Sequence, residues 1–391
     1  MKPAKASTNS ISSKITVMRG LHHAGLALLL AGCATQTLPP PAAPTAAVMP
    51  PLPAIVSEPV PAVEGARWVA AAWSDLPGWG EDAAETLWPA LRQNCSRPAP
   101  GWERLCARLL IEEAPTDRLQ AHGWLMAQLQ PHRIEAADGN PQGLATGYFE
   151  PELRARRQPD ALFKVPLFGP PADAVLARAP RQQLDQQWRG RLQPLLYVED
   201  PLDALLLQIQ GSGRAHVRDA DGQTRTLRLA FAGHNEQPYR SVGRWLIDQG
   251  LLRAHEANWP AIKAWAQSNP SRLNELLWGN PRVVFFREEP LPDLNLGPRG
   301  AQGLPLTPGR SIAVDRSAIP YGSLLWLDST EPLSQTPLRR LVLAQDTGSA
   351  IQGAVRADFF WGWGAEAEAQ AGRMKQALRY WVLLPRAPAP R

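Results

Sequence analysis

The stretch that decides the fold is AQDTGSAIQGAVRADFFWG, residues 344–362, in which two aspartates flank a glycine-bearing loop. Asp346 ends an apolar run and leads directly into a glycine turn, and Asp358 precedes the aromatic cluster Phe359-Phe360-Trp361. A carboxyl group beside such a cluster is partly desolvated, which raises its pKa, and a general acid needs a raised pKa near neutral pH. Asp is also common in turns and caps, so each aspartate has a structural alternative.

The rest of the C-terminal part reads as a series of short strands. A third aspartate, Asp315, follows one apolar run directly. Gly, Pro and Asp turns separate the apolar runs at residues 283–286, 312–314, 324–327, 341–344 and 381–384. Many short strands with turn residues between them favour a β-barrel or a sandwich.

The preceding segments differ in the periodicity of their apolar residues. Residues 65–136 have a helical pattern, with an apolar stripe at Ala84, Leu87, Trp88 and Leu91. From residue 144 the pattern becomes strand-like, and the following segment to about residue 279 is mixed. The helical segment contains no residue cluster that demands chemistry, so we expect it to be a scaffold.

The N-terminus indicates where the protein works. Basic residues precede a short apolar run at 24–30, and small residues lead to Cys33, which predicts a secretory signal peptide over residues 1–32. The run is too short to span a bilayer, which takes about 20 residues. The segment Leu30-Ala31-Gly32-Cys33 resembles the lipobox of bacterial lipoproteins, which implies a lipidated Cys33. Because Ala34 is not Asp, the resemblance implies the outer membrane, facing the periplasm.

A tether is predicted to follow the lipid anchor. Residues 33–64 include a stretch rich in Pro and Ala and almost without charge, which favours extended polyproline conformations. The remaining cysteines, Cys95 and Cys106, are expected to form a disulfide in an oxidising periplasm, with two buried thiols as the alternative.

Charge and ligand spacing exclude several partners. The formal net charge is +5, but four basic residues lie in the first 32 positions, which contain no acid. The remainder is close to neutral, so a nucleic-acid partner is not predicted. The seven histidines have no metal-ligand spacing, so neither a metal nor a cofactor is expected.

Several motifs in order resemble one family. The three-aspartate block resembles the 3D domain, and the chain from about residue 68 to 385 resembles membrane-bound lytic murein transglycosylase A. The motifs that carry this resemblance are residues 146–151, 210–213, 239–243, 280–281, 284–287, 346–353, 356–358, 371–372 and 381–385. The departures are small: Ser349 stands where glycine is common, and Phe149 where tyrosine is common.

The resemblance implies an α+β fold, mainly β with N-terminal helices. A double-psi β-barrel carrying the aspartates is expected from residues 65–151 plus 280–391, which include the helical scaffold. Residues 152–279 are expected to form an inserted β-rich domain, with a substrate groove between the two. The implied partner is the glycan strand of peptidoglycan, with contact to the membrane through the lipid anchor only. Cell-wall synthesis proteins are further expected partners, and a monomer is the expected state.

The implied reaction breaks the β-1,4 bond between N-acetylmuramic acid and N-acetylglucosamine without water. A hydroxyl of the muramic acid itself closes a 1,6-anhydro ring, so the enzyme is expected to be a carbon–oxygen lyase. Cleavage is expected to start from the ends of the glycan strands. The resemblance makes Asp358 the acid and base, with Asp346 hydrogen-bonded to it, and gives Asp315 a structural role. The candidates for the sugar groove are Tyr148, Gln210, Ser212, Tyr239 and Trp361, each with a packing or turn role as the alternative.

Three other functions compete with this interpretation. The first is an expansin-like module that binds peptidoglycan without cleaving it, and the second is a conventional muramidase with two catalytic carboxylates. The third, nucleotide binding at Gly211-Ser212-Gly213, is weak because the third glycine and the following helix start are missing.

Overall fold

The computed structural model describes residues 65–219 and 222–386. The predicted signal peptide, Cys33 and the tether lie outside the described residues. Within these two ranges, no helix combines the length and apolarity needed to cross a membrane.

The described chain contains two β-sheets and a set of mostly short helices. The strands are β1 (Ala66–Ala70), β2 (Leu129–Ala136), β3 (Gly143–Glu150), β4 (Glu152–Arg156), β5 (Val165–Phe168), β6 (Pro194–Val198), β7 (Gly213–Arg218), β8 (Thr224–His234), β9 (Val284–Pro290), β10 (Ser311–Val314), β11 (Leu324–Thr330), β12 (Pro337–Asp346), β13 (Arg356–Trp363) and β14 (Lys375–Pro385). The α-helices are α1 (Trp88–Asn94), α2 (Glu103–Ile111), α3 (Arg118–Gln128), α4 (Ala174–Arg178), α5 (Arg181–Gln183), α6 (Pro201–Gln210), α7 (Val242–Asp248), α8 (Trp259–Ser268), α9 (Leu273–Trp278) and α10 (Gly364–Ala371).

The larger sheet closes into a barrel. Its strand order is β1-β2-β14-β11-β12-β10-β13-β3, and β14 also pairs with β3. Residues 379–383 of β14 pair with β11, whereas residues 375–378 pair with β3, so one long strand closes a ring of six strands. The predicted barrel is therefore present, with the two later aspartates on its strands.

Three barrel strands, β11, β12 and β14, are buried on both faces. Along β11, Leu324 and Trp326 pack against the N-terminal helices, whereas Leu325 and Leu327 point into the barrel. The same alternation continues along β12 and β14. Successive side chains of a strand point to opposite faces, so a strand covered on both sides needs an unbroken apolar run. This is why these strands are visible in the sequence as apolar runs.

The second sheet has the order β5-β6-β4-β7-β8-β9. It begins directly after β3, since only Pro151 separates Glu150 from β4. Strand β9 pairs with β8 in this sheet, whereas the predicted boundary near residue 279 assigned it to the barrel. The three buried residues that start β9, Val284, Phe285 and Phe286, pack within the cores of the second sheet.

The N-terminal segment is less helical than its pattern predicts. Its ends are strands, because β1 pairs with β2 and β2 pairs with β14 at the barrel edge. The predicted stripe is confirmed: Ala84, Leu87, Trp88 and Leu91 are buried in the core that covers the barrel. A disulfide joins Cys95 and Cys106, as the sequence predicts, between α1 and α2 in the same core.

Candidate active site

A groove of about 750 Å³ runs between the two sheets. The barrel contributes to its wall Thr146, Tyr148, Ala313, Asp346, Asp358 and Phe360. The second sheet and its connections contribute Gln210, Ser212, Phe231, His234, Tyr239 and Arg282. The groove therefore collects Asp346 and Asp358 and four of the five predicted sugar-groove residues.

Strand register brings the two aspartates together. Ala313 of β10 pairs with Asp346 on the parallel strand β12 and with Asp358 on the antiparallel strand β13. Residues in register on neighbouring strands point to the same face, so both carboxyl groups project toward the groove on either side of a methyl group. The small side chain of Ala313 leaves the floor between them open.

Asp358 is held by one hydrogen bond and faces the groove with its other oxygen. Thr146 Oγ1 donates to Asp358 Oδ1 over 2.6 Å, and Arg356 Nη2 donates to the same threonine hydroxyl oxygen over 2.9 Å. Oδ2 makes no hydrogen bond to any residue that the structure describes. Burial raises the pKa of Asp358, and the Thr146 bond and the Arg356 charge oppose this rise only in part.

Both carboxyl oxygens of Asp346 accept a hydrogen bond. Tyr148 Oη donates to Asp346 Oδ2 over 3.0 Å, and the backbone N–H of Ala301 donates to Oδ1 over 2.9 Å. Burial raises the pKa of Asp346 to about 6 against these bonds, and the charge of Asp358 adds to the rise. The predicted hydrogen bond between the two aspartates is wrong, because Tyr148 and Ala301 occupy the Asp346 oxygens; the pair interacts through charge instead.

Tyr148 remains a donor over the working pH range. Burial and the charges of Asp346 and Asp358 raise the pKa of its phenol well above the ordinary value. Its ring packs against Phe360, with 5.2 Å between the ring centroids. The tyrosine therefore forms part of the groove wall and orients the Asp346 carboxyl.

Asp315 lies away from the groove. It accepts from the backbone N–H and hydroxyl of Ser317 over 3.0 and 2.6 Å, and from Gly353 N–H over 2.7 Å. Burial alone would raise the pKa of Asp315, but these hydrogen bonds outweigh it and lower the pKa. The hydrogen bonds of Asp315 join its own loop to the loop at Gly353.

Trp361 does not line the groove. It packs behind β3, with its Nε1 3.3 Å from the sulfur of Met374. A Cβ on Gly147 would lie 2.7 Å from Trp361 Nε1, so the glycine makes room for the indole. The sugar-groove prediction fails for Trp361, because the strand alternation and bulge of β13 direct Asp358 and Phe360, not this ring, into the groove.

Sequence reasoning gave no role to three residues that shape the site: Thr146, Ala301 and Ala313. Thr146 opposes Asp358 only because β3 and β13 pair in parallel, and these strands are far apart in the chain. Ala301 contributes a backbone N–H, which leaves no trace in residue type. Only Thr146 carried a signal, since it opens the motif at residues 146–151.

The chain is similar to known proteins of one family. Residues 144–287 match the family model described as the MltA specific insert domain, and residues 310–384 match the 3D domain. The membrane-bound lytic murein transglycosylase A of Vibrio cholerae is 34% identical over 269 residues, which cover 66% of this chain and 70% of that protein. The chain belongs to the lytic murein transglycosylase A family.

Solved structures of lytic transglycosylases have the same fold. A lytic transglycosylase of Burkholderia pseudomallei, LtgG, is 44% identical, with a TM-score of 0.60 over 83% of this chain and 97% of that one. MltA of Escherichia coli with bound chitohexaose is 26% identical, with a TM-score of 0.63 over 82% of this chain and 92% of that one. The predicted fold class, a barrel with a second β-rich part, is confirmed.

Proposed function

We propose that this protein cleaves the β-1,4 bond between N-acetylmuramic acid and N-acetylglucosamine in peptidoglycan and leaves 1,6-anhydromuramic acid ends. The observation that carries the proposal is Asp358, a groove carboxyl with a raised pKa and one oxygen directed at the groove. Membership of the family supports the reaction class, and the chitohexaose bound to the Escherichia coli relative supports a glycan ligand.

Asp358 first acts as the acid in this proposal. Its proton passes to the glycosidic oxygen, the bond to the muramic anomeric carbon breaks, and the N-acetylglucosamine leaves as an alcohol. The 6-hydroxyl of the same muramic acid then bonds to the anomeric carbon and gives its proton to the Asp358 carboxylate. The tethered hydroxyl replaces the second carboxylate or the water of ordinary glycosidases, with the entropic advantage of an intramolecular attack.

The neighbours of Asp358 tune it for both steps. Partial burial favours the protonated acid, whereas the Thr146 bond and the nearby Arg356 stabilise the carboxylate that forms after proton transfer. The charge of Asp358 contributes to the raised pKa of Asp346, so ionisation of both carboxyl groups together is unfavourable. Tyr148 and the backbone N–H of Ala301 donate to the two oxygens of Asp346, so we assign it a supporting role and not that of a second nucleophile.

We also propose a role for each segment of the chain. Residues 65–151 with 280–391 supply the barrel and its helical scaffold, and residues 152–279 supply the opposite groove wall, to which β9 adds a strand. Cys33 is proposed as the lipid anchor at the outer membrane, with the Pro- and Ala-rich segment as the tether that holds the enzyme in the periplasm. Fractionation of cells that express a Cys33→Ala variant tests this placement, which a protein remaining in the membrane fraction would contradict.

Mass spectrometry of the products tests the proposed reaction. The protein without residues 1–33 is incubated with purified peptidoglycan, and we expect soluble muropeptides one water lighter than hydrolysis products. Free reducing ends would instead indicate a conventional muramidase, and binding without release would indicate a non-catalytic module. Action from strand ends predicts small products from the earliest times, whereas long soluble fragments would indicate internal cleavage.

The pH dependence of cleavage tests the acid. Because Asp358 must be protonated, we expect kcat/KM to fall as the pH rises through its raised pKa. The charge of Asp358 contributes to the raised pKa of Asp346, which is about 6, so the two carboxyl groups repel each other when both are ionised. Asp346→Asn removes this repulsion, so the descending limb should move to lower pH. A limb that stays in place or moves to higher pH would contradict the coupling.

A further inference from the structure

Three arginines in the groove form no salt bridge within the described residues. Of the arginines that line it, Arg228 is paired with Glu150 and Arg287 with Glu289. The other three are Arg282, Arg299 and Arg356, none of which forms an ion pair within residues 65–219 and 222–386. Arg299 is exposed, and Arg356 interacts with the charge of Asp358. Arg282 is partly buried, and partial desolvation of a charge costs free energy that a neutral glycan would not offset.

Two hydrogen bonds hold the guanidinium group of Arg282. It lies just before β9, where its Nε donates to the carbonyl of Gln237 over 2.8 Å and its Nη1 to Ser349 Oγ over 3.1 Å. Gln237 follows β8 of the second sheet, and Ser349 belongs to the barrel loop after Asp346. The guanidinium is thus fixed from both sides of the groove, and its Nη2 makes no hydrogen bond within the described residues.

Arg282 shares the groove with the reacting centre, because Arg282, Tyr239 and Asp358 all line it. The phenol of Tyr239 is close enough to both charges to be affected by them. Burial is the main cause of its raised pKa; a Ser241 hydrogen bond and the charge of Arg282 lower the pKa, and the charge of Asp358 raises it. A substituent on a sugar bound at Asp358 therefore lies in the groove that Arg282 lines.

The chemistry of the proposed substrate supplies a matching anion. Each muramic acid carries a lactyl ether whose carboxyl group is either free or amide-linked to a peptide stem that carries carboxylates of its own. Chitin oligosaccharides have neither group. We propose that Arg282, positioned by Gln237 and Ser349, forms a subsite that binds a carboxylate of the muramic acid side chain. This inference rests on the proposed peptidoglycan substrate and adds the feature that distinguishes it from neutral glycans.

Binding to three ligands tests the subsite. The protein without residues 1–33 carries Asp358→Asn to prevent turnover, and calorimetry measures binding of peptide-free muramic oligosaccharide, the same oligosaccharide with stems, and chitohexaose. Arg282→Gln should weaken binding of an anionic ligand by about tenfold to a hundredfold, the range for a charge-assisted hydrogen bond. Chitohexaose binding should change by less than about threefold, because no charge pair is lost.

The three ligands also show whether Arg282 binds the lactyl carboxyl group or a carboxylate of the peptide stem. A loss with the peptide-free oligosaccharide assigns the lactyl carboxyl group, and a loss only with the stem-bearing one assigns a stem carboxylate. The matched control is Arg154→Gln, which removes an arginine of the second sheet outside the groove and should leave the preference for anionic ligands unchanged. Arg282→Lys keeps the charge and should retain part of the preference.

Two results would overturn the subsite. One is an equal loss for all three ligands, which would make Arg282 a structural contact between the groove walls. The other is unchanged binding of both anionic ligands. If Arg282→Gln does not fold, the salt dependence of the parent protein decides: anionic ligands should bind more weakly at high salt while chitohexaose does not. Failure of the proposed reaction would appear separately, as absence of cleavage by the wild-type protein.

Discussion

Asp358→Asn is expected to reduce peptidoglycan cleavage by at least about a thousandfold, since general acid–base catalysis by one group contributes about 10²–10⁴-fold and this group acts in both steps. Asparagine has nearly the same shape and its oxygen can still accept from Thr146, but it has no proton to give to the glycosidic oxygen. The measurement is the release of soluble muropeptides over time. Calorimetric binding of chitohexaose shows in parallel whether the variant still binds a glycan.

The controls for Asp358 are the two other aspartates. Asp346→Asn should retain measurable turnover, because Asp346 acts through the pKa of Asp358. Asp315→Asn lies outside the groove, so its effect should fall on stability, through the loop contacts to Ser317 and Gly353, more than on the rate of folded protein. A folded, glycan-binding Asp358→Asn protein with more than about a hundredth of wild-type turnover would exclude Asp358 as the acid.

The second large effect is expected on stability, at the junction of the two sheets. Glu150 ends β3 and is fully buried at 0% exposure, between Arg214 at 2% and Arg228 at 4%. The nitrogen–oxygen distances are 2.8 Å to Arg214 and 2.6 Å to Arg228. Removing one member of a buried ion cluster leaves the other charges without compensation, so Glu150→Gln should lower the free energy of unfolding by about 3–5 kcal/mol.

The junction also supports the groove. Arg214 donates to the carbonyl of Leu294 over 2.8 Å, and Arg228 donates to that of Leu296, which hold the segment between β9 and β10. That segment leads to Ala301, the backbone donor to Asp346. Glu150→Gln should therefore also reduce cleavage at temperatures where the protein is still folded.

Urea unfolding followed by tryptophan fluorescence measures the stability change. The control is Asp248→Asn, which breaks an exposed ion pair with Arg244 within α7 and should have little effect, because exposed pairs contribute little. A loss below about 1 kcal/mol for Glu150→Gln would mean that the two arginines find other compensation.

Much of the fold could be predicted because local patterns report local burial. The strands at β10, β11, β12 and β14 were visible as apolar runs, since the barrel is covered on both faces. The edge strands β1 and β2 were hidden inside a segment with a helical pattern, because their conformation depends on pairing with each other and with β14. The assignment of β9 to the second sheet likewise depends on its partner β8, which periodicity does not identify.

The site, like the fold, has features that local sequence predicts and features that depend on strand pairing. The sequence by itself determined the residue types that carry the chemistry: Asp346 at the end of an apolar run and Asp358 directly before an aromatic cluster. Only the tertiary structure decided that both flank Ala313, that Thr146 and Tyr148 bond to them, and that Trp361 faces away. The physical reason is strand pairing: register across the barrel sets which side chains share a face, and register is a relation between distant segments that no single stretch of sequence contains.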